Sequence, residues 1–284
     1  MMTPYSKLNS QGNDFIIVEK HLMKAELSQD VIKAYCSRDN IGCDQFFIID
    51  TFDKANIHCE VYNQDGSKAC QCGNGLRATM LYLNKKYQLD NVNIIICNKL
   101  YKTKIIKDLI SVNMGSPTYL QCPDNHIDEL RLSKDGLTIN VELKNKLKFS
   151  FMPLSIGNEH SIVFSEKCLE NKDIISKTIK TIFGYEMNIG FIDNVDDFMN
   201  NKNAIIKLTV NERGAGYTAS CGSGATAAAM CLCKLYQIHN NRNIVDNKII
   251  IQQRGGILEV IKNSDSDTYQ LLGPSLFEGD GYLE

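Results

Sequence analysis

Two cysteines carry the most chemical promise in this chain. Cys72 opens CGNGLRA (72–78) and Cys221 opens CGSGATA (221–227), both of the form C-G-x-G-x-x-A. Each stands where a helix is expected to begin. Unpaired backbone N–H groups and the helix dipole favour an anion there, easing a thiol with an ordinary pKa of about 8.5 toward thiolate. One such thiol is a candidate nucleophile. Two, in matching parts of a chain, suit a different chemistry, in which a thiolate on one face of a carbon removes a proton while a thiol on the other face delivers one. That is stereoinversion without a cofactor. The plainer reading, two core cysteines at tight helix starts, accounts for the same residues.

Other chemistries fit less well. As a dinucleotide fingerprint, G-x-G-x-x-A needs a buried strand before it and alternating βαβ units, but cysteine precedes each copy. As zinc knuckles, the C-x-C pairs Cys70/Cys72 and Cys231/Cys233 lack the usual C-x₂₋₄-C spacing, and the second lies inside an expected helix. No metal and no cofactor are expected. The glycines do bring bare N–H groups at a helix start close to a ligand, which suits a carboxylate or phosphate.

A formal charge of −2 on 284 residues, with no basic run, gives no electrostatic footprint for nucleic acid or an anionic membrane. MMTPYSKLNSQGNDF has no apolar signal core, and no segment offers 18 uncharged apolar residues, so a cytoplasmic location is expected. The eleven cysteines then read as reduced thiols. Cys36, Cys43, Cys59, Cys97, Cys122, Cys168, Cys231 and Cys233, joined by Cys70, read as small buried hydrophobes.

The elements that must position Cys72 and Cys221 are mostly strands. Runs such as FIIVEK (15–20), QFFIID (45–50), IHCEVYN (57–63), AIIKLTV (204–210) and KIIIQQ (248–253) are short and β-branched, with turn residues between them. Helices are expected at 27–39, behind a serine N-cap, and at 166–184, ending on Gly184. GNGLRATMLYLNKKY (73–87) and GSGATAAAMCLCKLY (222–236) are apolar nearly all round, so both are expected to be buried helices wrapped by strands. The similar order of elements about each predicts two related halves with a boundary near Pro117. Polar clusters at GND (12–14), YNQDGS (62–67), GNEH (157–160), MN (187–188) and ERG (212–214) suit a small polar substrate, although turn chemistry alone explains any one of them.

These motifs resemble the diaminopimelate epimerase family. QGNDFIIV is similar to its N-terminal GNDF segment, and IGCDQFFI to its IG-x-D-Q/G segment. YNQDGSKACQCGNGLRA resembles its FNADGSE…CGNGxR signature, GNEH its GNPH, MNIGF its TNVNF, and ERGAGYTASCGSGA its ERGAGET-x-ACG[TS]GA. The resemblance runs in order over nearly the whole chain. It implies an α+β fold of two pseudo-symmetric domains, each a curled, mostly antiparallel sheet around a central buried helix, with the catalytic cleft between them. The domains would be residues 1–117, completed by a strand at 276–284, and 118–275.

The resemblance further implies cofactor-independent interconversion of LL- and meso-diaminopimelate, with Cys72 and Cys221 as the acid/base thiols. Backbone N–H groups of Gly73, Asn74, Gly222 and Ser223 would bind the carboxylate at the reacting carbon. His160 and Glu212 would orient or deprotonate the thiols and hold the α-ammonium. Asn13, Gln45, Asn63, Asn158, Asn188 and Arg213 would grip the substrate, Arg213 through the distal carboxylate. A homodimer is compatible with this reading. Three departures stand out: Asn9 and Ser10 replace the His-Gly of MHGLGNDF, Lys68 replaces the Glu of DGSE, and Glu159 replaces the Pro of GNPH, where the family's φ is fixed. They leave open a racemase of the same fold for another amino acid, such as histidine, or a non-catalytic amino-acid-binding protein.

Overall fold

The two all-apolar helices are hidden because each serves as the axis of a sheet. The computed structural model describes residues 2–53, 56–70, 72–123, 130–132, 136–164 and 168–283. The chain forms two compact units, Met1–Asn113 with Leu272–Glu284, and Met114–Leu271.

The first unit opens with β1 (Thr3–Ser10), β2 (Asn13–Glu19), α1 (Gln29–Cys36), β3 (Gln45–Asp53), β4 (Asn56–Asn63) and β5 (Lys68–Ala69). Then come α2 (Gly73–Tyr87), β6 (Asn91–Ile96), β7 (Lys99–Ile106) and β8 (Leu109–Gly115). Its sheet runs β1, β2, β3, β4, β6, β7, β8, with β2–β3 and β4–β6 parallel and the other pairs antiparallel. A late strand, Leu276–Leu283, pairs antiparallel with the outer side of β1.

Period two divides the buried side chains of this sheet between two layers. Ile16, Val18, Phe46 and Ile48 pack with Ile32 and Cys36 of α1. Their neighbours Phe15 and Phe47 meet edge to face at 5.7 Å, beside the first turn of α2. This is why β2 is buried almost end to end. Each such side chain contributes about 1.5–3 kcal/mol. Gly75 is required where α2 meets those rings, because a Cβ there would collide with Phe47.

The second unit repeats the plan. After β9 (Thr118–Tyr119) come β10 (Leu130–Leu132), β11 (Ile139–Glu142), β12 (Lys148–Ser155), β13 (Glu159–Val163), α3 (Lys172–Phe183) and β14 (Asn188–Ile192). Next are α4 (Val195–Asn200), β15 (Ile205–Glu212), β16 (Gly216–Tyr217), α5 (Gly222–Asn240), β17 (Lys248–Gln253), β18 (Gly256–Lys262) and β19 (Tyr269–Gly273). The late strand of the first unit is β20. β12–β13, β14–β15 and β17–β18 pair antiparallel, whereas β13–β14 and β15–β17 are parallel. That is the β1-to-β7 pattern again, with α3 in place of α1 and α5 in place of α2. Ile175, Ile179 and Ile182 of α3 close a core with Phe149, Phe151, Val163, Ile189 and Phe191. α5 is buried from Gly222 through Cys233 against β12, β13, β14, β15, β17 and β18.

Differences from the sequence reading are local. The units divide a few residues before 117 and 275, because the chain changes unit within β8 and β19 rather than at the Pro117 turn. β1 gives no hydropathy signal because its inward residues are Ser6, Leu8 and Ser10, so its alternation is one of burial alone. α4 buries only Phe198 and is too short for a periodic signal. α1 starts behind Ser28, whose Oγ accepts the Val31 N–H at 3.4 Å.

The cysteine reading needs one correction. Cys36, Cys43, Cys59, Cys168, Cys231 and Cys233 are buried and Cys122 is half-buried, but Cys70 and Cys97 are exposed and joined in a disulfide, Cα to Cα 5.3 Å. They are therefore neither buried hydrophobes nor free thiols. β5 and β6 both pair with β4, so the residue after β5 meets the turn after β6, a proximity that a sequence separation of 27 does not reveal. Thiol titration of the denatured, unreduced protein is expected to find nine thiols, rising to eleven after reduction. Eleven before reduction would contradict the pairing.

Candidate active site

Each unit gathers its share of the predicted residues at one end of its sheet, around the N-terminus of its central helix. The reason is the parallel pairs: the starts of β2 and β3, or β13 and β14, lie beside the end of β4 or β15.

In the first unit Cys72 is the N-cap of α2. Its backbone is extended (φ −155°) and Sγ accepts the Gly75 N–H at 3.1 Å, taking the place of the usual oxygen cap. Gly73 and Asn74, both buried, supply first-turn N–H groups that no earlier helical carbonyl can serve. Ser10 Oγ donates to the Asn74 carbonyl at 3.0 Å, and Asn9 Oδ1 accepts the Gly12 N–H at 2.8 Å. The two substituted residues of the LNSQGNDF segment thus hold its turn and the helix start. Gln45 Nε2 donates to Asn63 Oδ1 at 3.0 Å, and Asn63 Nδ2 to Ser67 Oγ at 3.0 Å. Asn13 Oδ1 and Gln45 Oε1 are buried and accept no hydrogen bond among the described residues, which leaves two acceptors for a ligand. Lys68 pairs with Glu60 at 2.8 Å and lies over the Tyr62 ring, so that departure serves the sheet.

Arg77 is a feature of this unit that sequence reasoning passed over, although it stands inside CGNGLR. Its guanidinium is fully buried, with Nε donating to the Pro274 carbonyl and Nη2 to Gln11 Oε1. Burial pulls it down to about 10, opposed by attraction to the Cys72 sulfur. It brings positive charge within electrostatic reach of Cys72.

In the second unit the residues form a continuous network. Cys221 is the N-cap of α5; Sγ accepts the Gly224 N–H at 3.3 Å and donates to Glu212 Oε2 at 3.1 Å. Glu212 Oε1 accepts from Thr218 Oγ1, a contact without a signal in the sequence beyond proximity. Burial, then the Glu212 charge, push the Cys221 thiol well above its ordinary range, so it rests protonated. Asn158 Nδ2 donates to Ser223 Oγ at 3.3 Å, and His160 Nε2 meets Asn158 Oδ1 at 3.2 Å. Asn188 Nδ2 donates to the Glu159 carbonyl at 3.2 Å, and Asn188 Oδ1 accepts the Arg213 N–H at 3.0 Å. Glu159 starts β13 in regular pairing with Ser155, and its backbone carbonyl takes part in the network that its side chain leaves free. Glu212 therefore touches a thiol, whereas His160 reaches Ser223 only through Asn158. The side chain of Arg213 is exposed.

The sequence profile described as diaminopimelate epimerase matches residues 5–120 and 153–276. The chain belongs to the diaminopimelate epimerase family. It is 27% identical to the diaminopimelate epimerase of Acinetobacter baumannii, over all of this chain and 98% of that one. It is 30% identical to the diaminopimelate epimerase of Blochmanniella floridana, over 79% of this chain and 80% of that one. Family membership makes the protein an isomerase, an epimerase. Among solved structures, a hydroxyproline epimerase from Agrobacterium vitis with bound trans-4-hydroxy-L-proline superposes with a TM-score of 0.67 at 10% identity, covering 99% of this chain and 92% of that one. A PhzF-family phenazine biosynthesis protein from Bacillus anthracis reaches 0.67 at 13%, covering 100% and 99%. Both likenesses are of fold. No helix among the described residues is long and apolar enough to cross a membrane.

His160 yields a pH prediction. Burial drives its imidazole down to about 3, so the ring is neutral in the folded protein. An unfolded chain protonates histidine at about 6.5. Between those values the unfolded state holds the extra proton, so stability contributed by neutral His160 is full above the upper value and is lost as pH falls. In urea denaturation, the stability of wild type over His160→Gln is expected to shrink as pH drops from about 6.5. Parallel pH curves for the two proteins would contradict this.

Proposed function

We propose that the protein inverts one α-carbon of LL-diaminopimelate to give the meso isomer, using Cys72 and Cys221 as a two-base pair without cofactor. The observation that carries the reading is the repeated one: a thiol caps the central helix of each unit, at equivalent places in one plan. The family and the names of its relatives support diaminopimelate as substrate and lysine and peptidoglycan precursor synthesis as the setting.

In the forward direction the Cys72 thiolate, favoured by the Gly75 N–H and the nearby Arg77 charge, removes the α-proton. The C–H electron pair moves into the carboxylate, which gains enediolate charge. N–H groups of Gly73, Asn74, Gly222 and Ser223 stabilise that charge, each well-placed donor contributing about 3 kcal/mol. Cys221, held as a thiol by burial and Glu212, returns a proton to the opposite face as the electron pair falls back onto carbon. The reverse reaction exchanges the roles. The open acceptors of Asn13 and Gln45 suit a substrate ammonium, and Arg213 suits the distal carboxylate in fork geometry.

Incubation with LL-diaminopimelate in D₂O is expected to place deuterium at the inverted α-carbon. Absence of exchange, or exchange only with another amino acid from a panel, would overturn the substrate assignment. Cys72→Ala and Cys221→Ala are each expected to abolish epimerisation, a loss of at least about a thousandfold, while circular dichroism stays native. Near-normal epimerisation by either variant would end the two-base reading.

A further inference from the structure

Cys221 is held by its backbone as well as by its sulfur. Gln253, the last residue of β17, is buried at 6% exposure and grips both backbone groups of that one residue. Its Oε1 accepts the Cys221 N–H at 2.8 Å, and its Nε2 donates to the Cys221 carbonyl at 3.0 Å. The side-chain amide pairs with the peptide as a neighbouring strand would. The same carbonyl accepts the Ala225 N–H at 2.9 Å, so it starts the helix while remaining clamped. Two residues earlier, the Ala219 carbonyl accepts the Gly255 N–H at 2.7 Å. The tip of the β17–β18 hairpin thus docks the whole approach to the N-cap.

We propose that Gln253 is the positioning residue of Cys221. Sγ projects from a backbone whose donor and acceptor are both fixed, and that fixes its distances to Glu212 Oε2 and the Gly224 N–H. Without the clamp, Cys221 turns about its flanking bonds and Sγ leaves the line along which a proton must be delivered. A misplacement of about 1 Å far from bond making costs on the order of a hundredfold in rate. The first unit meets the same need with other chemistry. There the tip of the equivalent hairpin, β6–β7, reaches the approach to Cys72 through the Cys70–Cys97 disulfide. A hairpin tip anchoring the chain just before each N-cap thiol is therefore common to both units.

The inference rests on the two-thiol reading above, and its test separates the two. Gln253→Met keeps length and loses both hydrogen bonds. It is expected to lower kcat for LL-diaminopimelate at least about tenfold, with KM within about threefold of wild type, because substrate contacts stay in place. Gln253→Glu supplies the decisive measurement. A protonated glutamic acid can accept the Cys221 N–H and donate to its carbonyl, whereas the ionised form cannot donate; Cys221 and, through it, Glu212 are titratable groups on this side, and Arg254 follows in the chain. The activity of Gln253→Glu relative to wild type is therefore expected to rise at least about threefold from about pH 8 to about pH 6. A flat ratio, or unaltered kcat in Gln253→Met, overturns the proposal. Should Gln253→Met not fold, the Gln253→Glu profile decides alone. If wild type does not act on diaminopimelate, the substrate reading fails, and iodoacetamide labelling without substrate then tests the positioning. A change of at least about threefold at Cys221 between wild type and Gln253→Glu, with Cys72 unchanged, upholds it; equal behaviour of the two cysteines overturns it.

Discussion

A sulfur atom where helices usually carry an oxygen cap is the constraint from which much of each unit follows. Cys72 and Cys221 both accept the N–H of the third helical residue, and both helices begin in the interior. A helix start in the interior must have its backbone donors satisfied, its side chains small and its approach anchored. Glycine at positions 75 and 224 answers the second demand, since a Cβ would strike Phe47 in one unit and crowd Val210 in the other. The curled sheets answer the rest, because a helix that is apolar on every side must be enclosed, and here strands enclose it.

The repeated plan is symmetrical in backbone and unsymmetrical in chemistry. His160 pairs in register with Asn188, and the equivalent pair in the first unit is Phe15 with Gln45. Asn63 ends β4, whereas Glu212 ends β15 and puts a carboxylate against the thiol. Arg77 lies five residues beyond Cys72, and the matching Thr226 only bonds its own helix. The charged neighbours of the two sulfurs therefore differ in sign, Arg77 for Cys72 and Glu212 for Cys221.

The family resemblance points to Cys221, Glu212, Asn158, His160, Asn188, Arg213 and Ser223 but not to Thr218 or Gln253, whereas local patterns in the sequence disclose both helices to within a turn and most strands. These readings work because helix burial, caps and alternation are written in neighbouring residues. What stays hidden depends on pairing at a distance. Gln253 looks like one more polar residue at a strand end until β17 is laid beside β15, and Cys97 like one more apolar thiol until β4 brings two neighbours together. β1 is silent because serines fill its inward positions. Arg77 stands in plain view, but only its burial distinguishes it from a surface arginine.

The strand β20 carries a consequence for biosynthesis. Residues 114 to 271 form an uninterrupted unit, and every residue of it is synthesised before β20 is made. The first unit is translated earlier yet lacks its partner for β1, and Leu283, which lies in its core beside Val18 and Ile32, is made after the whole second unit. The order of synthesis and the order of completion are thus reversed: the half begun first is sealed last.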